Sequence, residues 1–95
     1  MSETRGYTAT KDQLLARLRR IEGQVRGVER MVDDERYCID VLTQISAIQA
    51  ALDKVALGLL DDHAHHCVIG APDAGTRDER TGELMGAVAR LMRRG

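Results

Sequence analysis

Cys38, His63 and Cys67 are the residues whose types and spacing could do chemistry. Two thiolates and an imidazole form a soft set of donors, which selects Cu(I), zinc or iron–sulfur clusters. Structural zinc takes four ligands and would need a water, His66 or another group as the fourth. Three donors therefore favour Cu(I), with zinc left open as an ion that binds in vitro. A lone cysteine on an apolar face is usually a small hydrophobe. Here every histidine of the chain, His63, His65 and His66, lies in the run Asp61-Asp62-His63-Ala64-His65-His66-Cys67 beside a cysteine, which favours ligation.

The element that must position these donors is a proline-free stretch from Tyr37 to Cys67. Leu42, Ile45, Ile48, Leu52, Val55 and Leu59 recur every three or four residues within it, as on the apolar face of a helix. At about 100° per residue, His63 and Cys67 each fall within about 20° of Cys38, on opposite sides of it. All three donors then share one stripe. A continuous helix also separates Cys38 from His63 by ~37 Å, so one chain cannot close the site alone. Two copies crossing antiparallel near residue 51 can. Such a dimer has two equivalent sites, one at each end, as two-fold symmetry requires.

Composition points the same way. The chain has 95 residues, two tyrosines, and no phenylalanine or tryptophan. That is one domain, 10–95 after a flexible segment 1–9, with little bulky material for a private core. Ala47, Ala50, Ala51, Leu57 and Leu60 widen the central apolar stripe, so contacts are expected on more than one side. The net charge of −1 gives no global basic field, and any DNA contact must come from a local patch. No apolar run of the signal-peptide kind and no membrane-length segment is seen, so a cytoplasmic location is expected. In that compartment two cysteines read as thiols or ligands rather than a disulfide.

Three helices are predicted, over about 11–33, 36–67 and 77–93, giving an all-α fold. Thr10 with Gln13, and Thr76 with Glu79, have capping-box spacing. Asp33, Asp34 and Glu35 place negative charge at the start of the second helix, where its dipole favours it. Leu14, Leu18, Ile21, Val25, Val28 and Val32 line the first helix, and Leu84, Val88 and Leu91 the third. Gly23 and Gly27 share one face of the first helix, where another backbone could approach. Arg17, Arg19, Arg20, Arg26 and Arg30 alternate with Glu22 and Glu29; by themselves they read first as a solvated face with charge pairs. No helix-turn-helix spacing, zinc-finger pattern or RNA-binding aromatic motif occurs. No nucleophile–base constellation or phosphate-binding loop points to an enzyme.

The run Arg17-Leu-Arg-Arg-Ile-Glu-Gly-Gln-Val-Arg-Gly-Val-Glu-Arg-Met-Val32 resembles the first helix of the copper-sensitive operon repressor (CsoR) family. Tyr37-Cys-Ile-Asp-Val-Leu-Thr-Gln-Ile-Ser-Ala-Ile-Gln49 resembles the start of its second helix. The resemblance covers about residues 10–92. It implies a disc-shaped dimer of dimers that represses transcription without a helix-turn-helix. It also implies Cu(I) on Cys38, His63 and Cys67 shared between chains, with Tyr37 and Glu83 as supporting residues. A ligand histidine needs its other ring nitrogen hydrogen-bonded, which gives such support a purpose. Operator DNA contacts implied by resemblance fall on Arg17 and on Lys54, where relatives often carry arginine; lysine keeps the charge and loses the bidentate fork. Arg19, Arg20 and Arg26 join them by charge. A copper chaperone is the implied metal donor.

Related sensors differ at readable positions. Nickel and cobalt sensors of this family add a histidine near the N-terminus, and residues 1–37 contain none. Persulfide sensors lack the histidine between the cysteines, where this chain has His63. Formaldehyde sensors lack the second cysteine, which here is Cys67. The rival from another class is a copper buffer or storage bundle with the same ligands and no DNA role.

Overall fold

The computed structural model describes residues 6–93. Every regular element among them is helical. Helix α1 covers Lys11–Asp33, α2 Cys38–His63 and α3 Ala74–Met92. A 3-10 turn, Thr8–Thr10, leads into α1, and a π-helical segment, Ala64–Ile69, prolongs α2. The all-α class and the order of three helices are those that the hydrophobic periodicity predicts. The N-terminal segment expected to be flexible falls partly on residues 1–5, which lie outside the described residues, as does Arg94.

Helix α1 has the predicted bounds, but the Thr10/Gln13 box does not form, because Thr10 makes no side-chain capping bond. Its backbone, at φ −109 and ψ 9, belongs to the preceding turn rather than to the extended conformation a capping residue adopts. The other end is a Schellman turn. Arg36 N–H donates to the Met31 carbonyl at 2.9 Å and Glu35 N–H to the Val32 carbonyl at 3.0 Å. Glu35 holds the left-handed conformation, φ 55, that such a turn usually gives to glycine.

This turn corrects the predicted start of the second helix. Asp33, Asp34 and Glu35 terminate α1, and α2 begins at Cys38 with Asp40 as the acid of its first turn. The Tyr37 carbonyl accepts from the N–H groups of Asp40 and Val41, at 3.0 and 3.2 Å. Cys38 is thereby fixed as the first residue of α2.

The predicted span to residue 67 is corrected too, because the α-helix stops at His63. His65 Nδ1 lies 3.1 Å from the Asp61 carbonyl oxygen. That carbonyl is the acceptor an α-helix would give to the His65 backbone N–H. Competition for it favours the wider i→i+5 pattern that follows, and such π segments are frequent at functional sites. The segment closes on Gly70, where an added Cβ would stand 2.9 Å from the His66 carbonyl oxygen. Only glycine fits there without a shift of the backbone.

Helix α3 begins at Ala74 rather than at 77. Asp73, in extended backbone, accepts from the Thr76 N–H at 2.8 Å and so caps it ahead of the expected Thr76/Glu79 pair. This bond, with the Thr76 hydroxyl next, holds the Asp73 carboxyl below the ordinary carboxylate range. A depressed acid contributes stability at neutral pH, which is lost as pH falls below the unfolded value of 3.8. Asp73→Asn, which still caps but cannot titrate, is expected to flatten the acid limb of the helicity profile read by circular dichroism. Asp73→Ala is expected to lower helicity already at neutral pH.

Two units divide the chain. In residues 10–57, Leu14, Ile21 and Val55 are buried, with Ile48 and Ala51 packed against them. In the other, residues 6–9 and 58–93, α3 packs on the π segment. None of α3's described residues is fully buried. Leu18, Val25 and Val32 on α1, and Leu42, Ile45, Leu52 and Leu59 on α2, stay exposed in the single chain. Among the described residues nothing crowds Gly23 or Gly27 beyond the arginine one turn on. Among the described residues no helix is long and apolar enough to cross a membrane.

Candidate metal centre

His63 ends α2 and Cys67 lies in the π segment that follows. In an α-helix these positions would be about 40° apart around the axis. The wider π turn reduces that offset and keeps both side chains on one face.

The His63 ring is held from α3. Its Nε2 lies 2.8 Å from the Arg80 carbonyl oxygen. A carbonyl can only accept, so Nε2 carries a proton, and Nδ1 is the nitrogen whose lone pair is left for an ion in the neutral ring. A ligand imidazole needs this tautomer and this kind of outer partner. Cys67 is a free, half-buried thiol and Cys38 a free, exposed one. The donor set thus suits a soft ion, with one nitrogen and two sulfurs available.

The backbone of Gly6 seats against the same pair. A Cβ built there would be 3.1 Å from Cys67 Sγ and 3.5 Å from His63 Cα. Gly6 is buried with φ +88, so a side chain at this position is excluded by both space and conformation. No sequence motif marks this glycine; its role follows from the path of the chain.

Glu83 stands one turn beyond Arg80 on α3. Arg80 Nη1 donates to both of its carboxylate oxygens, at 3.1 and 3.2 Å. The partner of His63 Nε2 in this structure is therefore the Arg80 backbone, and Glu83 adjoins it through the Arg80 side chain. The guanidinium is held above its ordinary pKa first by the hydrogen bond and charge of Glu83, then by the charges of Cys67 and Glu79. Sequence reasoning passed over Arg80; its only outward signal is the i,i+3 spacing to Glu83.

Tyr37 and Cys38 belong to the other unit and are exposed at the start of α2. Among the described residues, no three of His, Cys, Asp and Glu are grouped so as to hold a metal ion within one chain. His65 and His66 face solvent, His65 beside Asp61 at 3.5 Å.

The basic candidates separate into two surfaces. Arg17, Arg20 and Gln24 of α1 line a groove with Ala47, Ala50, Ala51 and Lys54 of α2, floored by Ile21. Arg26 lies on another face of α1, among Leu18, Val25, Glu22 and Glu29. Arg19 is exposed and lines neither. The groove therefore collects Arg17, Arg20 and Lys54.

Comparison with known proteins gives a consistent picture. Residues 10–90 match the family described as metal-sensitive transcriptional repressor. The copper-sensing transcriptional repressor RicR of Mycobacterium tuberculosis is 53% identical, covering 98% of this chain and 99% of that protein. The crystal structure of the copper-sensing repressor CsoR with Cu(I) from Geobacillus thermodenitrificans matches with a TM-score of 0.84 and 46% identity, over 98% of this chain and 94% of that one. The nickel-responsive transcriptional regulator InrS matches with a TM-score of 0.72 and 43% identity, over 83% and 89% of the two chains.

Proposed function

This chain belongs to the metal-sensitive transcriptional repressors, and we propose that its signal is Cu(I), received at a site shared between two protomers and reported as release of operator DNA. The observation that carries this reading is the His63–Cys67 pair, with Nε2 engaged by the Arg80 carbonyl and, among the described residues, no third His, Cys, Asp or Glu donor grouped with it. Cys38 of a partner subunit completes a set of two thiolates and one imidazole, which a monovalent soft ion accepts. Two relatives named as copper-sensing support the choice of ion. Nickel is disfavoured by the absence of histidine from residues 1–37.

The assembly reading has its own support. A chain of 95 residues that buries only Leu14, Ile21 and Val55 among its described hydrophobics needs partners to cover its faces. The exposed α2 stripe of Leu42, Ile45, Leu52 and Leu59 suits an antiparallel copy of itself. The exposed Leu18, Val25 and Val32 of α1 offer further apolar area for pairing dimers into a tetramer.

Metal-free tetramer binds operator double-stranded DNA through phosphate contacts from Arg17, Arg20 and Lys54, with Arg19 and Arg26 at the margins. Cu(I) supplies only a link between the two sulfurs and the imidazole. The His63 ring is already tied to α3 through Arg80, so a change in ring position is passed to that helix. By linkage, DNA weakens Cu(I) binding by the factor by which Cu(I) weakens DNA binding.

The test is an anaerobic Cu(I) titration of the operator complex, followed by fluorescence anisotropy, with Ni(II) and a persulfide donor in parallel. Release by Cu(I) alone is expected. Undiminished DNA affinity with copper bound would refute the switch. For the groove, Arg17→Ala is expected to weaken binding about equally on all DNA sequences and to reduce the salt slope by about one. An unchanged slope would place the phosphate contact elsewhere.

A further inference from the structure

The groove between α1 and α2 holds three cations, Arg17, Arg20 and Lys54, and one neutral polar side chain, Gln24. All four are exposed, and among the described residues none of the four has a hydrogen-bond or ion-pair partner. Their polar atoms are therefore available to a ligand. Gln24 follows Arg17 by seven residues on α1. That spacing sets the two about 20° apart around the helix axis and ~10.5 Å apart along it.

The cations and the amide do different work against a duplex. Arginine and lysine meet phosphates, which every sequence presents alike. An amide carries no charge, so Gln24 adds nothing to that attraction. It offers instead one acceptor and one donor on a single plane. Adenine presents the complement in the major groove, an N6 amino donor beside the N7 acceptor. Guanine shows two acceptors there, cytosine a donor, and thymine an acceptor and a methyl group. The distance from Arg17 also fits, since ~10.5 Å is about three steps of a DNA strand at 3.4 Å each.

We propose, on the operator-binding reading above, that Gln24 is the base-reading residue of this groove. Its side-chain carbonyl accepts from adenine N6 and its amide N–H donates to N7. Arg17, Arg20 and Lys54 hold the register on phosphates. With α1 along the strand, the adenine lies about three bases from the phosphate that Arg17 meets. The amide supplies what the three cations lack, because phosphate contacts carry no sequence information.

The experiment is DNA binding by metal-free wild type, Gln24→Ala and Arg17→Ala, followed by fluorescence anisotropy over a range of salt. Three kinds of duplex are compared: the natural operator, operators with one adenine at a time replaced by 7-deazaadenine, and an unrelated sequence. The 7-deaza base keeps its Watson–Crick pairing and lacks the N7 acceptor. Wild type is expected to lose roughly 5-fold at one such position in each half-site, the lower end for a bidentate base contact, because one of its two hydrogen bonds remains. Gln24→Ala is expected to bind the natural operator at least about 10-fold more weakly and unrelated DNA as wild type does. It should also ignore the 7-deaza substitution to which wild type responds. Its salt slope should match wild type, since no phosphate contact is removed. Alanine is the best helix former and position 24 is exposed, so α1 is retained. Wild-type operator affinity in Gln24→Ala, or equal losses on operator and unrelated DNA, would overturn the proposal. So would a wild-type protein indifferent to every 7-deazaadenine, or a Gln24→Ala protein that still responds at the same position. An unchanged salt slope in Arg17→Ala would instead remove the groove as the DNA surface on which the assignment of Gln24 rests.

Discussion

Cys67→Ser protein is expected to bind operator DNA as wild type does and to keep hold of it when Cu(I) is added. Serine is nearly the same size, so the Gly6 backbone beside position 67 retains its seat. The hydroxyl is a hard, neutral donor where the ion needs a thiolate. The basic groove lies in residues 10–57, a unit to which Cys67 does not belong, so DNA affinity has no reason to fall. Allosteric couplings are typically about 1–3 kcal/mol, and the variant is expected to forfeit all of its own. The measurement is operator anisotropy at rising anaerobic Cu(I). Release at the wild-type copper concentration would show that Cys67 is no part of the sensor.

How much of this could be read before the fold was known depends on what kind of interaction each residue makes. The expectation that His63 and Cys67 share a face rests on four-residue spacing, which keeps two side chains together whether the turn is α or slightly wider. The π segment itself was not. It depends on a local competition for the Asp61 carbonyl and on a glycine at position 70 with no room for a Cβ, neither of which alters hydrophobic periodicity. The first residue of α2 was misplaced for a related reason. Asp33 to Glu35 look like a helix start by charge, whereas the Schellman turn spends them on ending α1, with Glu35 in a conformation usually reserved for glycine. Arg80 escaped because a backbone carbonyl has no sequence signature, and Gly6 because its contacts come from the chain's path.

The Arg17, Arg20 and Lys54 grouping shows the converse. Charge alone gave five basic candidates with no means of ranking them. Three of them line one groove with Ile21, Ala47, Ala50 and Ala51, whereas Arg26 shares a different surface with Glu22 and Glu29. A residue flanked by acids is a poor phosphate contact, so Arg26 should matter least for the salt dependence of DNA binding.

The largest effect is expected from a mixture of two inactive proteins. Cys38→Ser cannot supply the sulfur at the start of α2, and His63→Ala cannot supply the imidazole at its end. Each alone should fail to bind Cu(I) in the three-ligand mode. In a mixed dimer, however, the His63→Ala subunit still offers Cys38, and the Cys38→Ser subunit still offers His63 and Cys67. One site of that dimer is whole, and the other lacks both contributions. Random pairing of equal amounts therefore restores roughly a quarter of the wild-type sites, a consequence of two-fold symmetry alone. The variants are co-refolded, and Cu(I) is titrated against a competing chelator; the recovered stoichiometry is the readout. A site assembled within one protomer predicts no recovery at any mixing ratio, because each chain would carry its own defect. A peak of recovery at equal amounts, falling away on both sides, is expected only if the donors come from different chains.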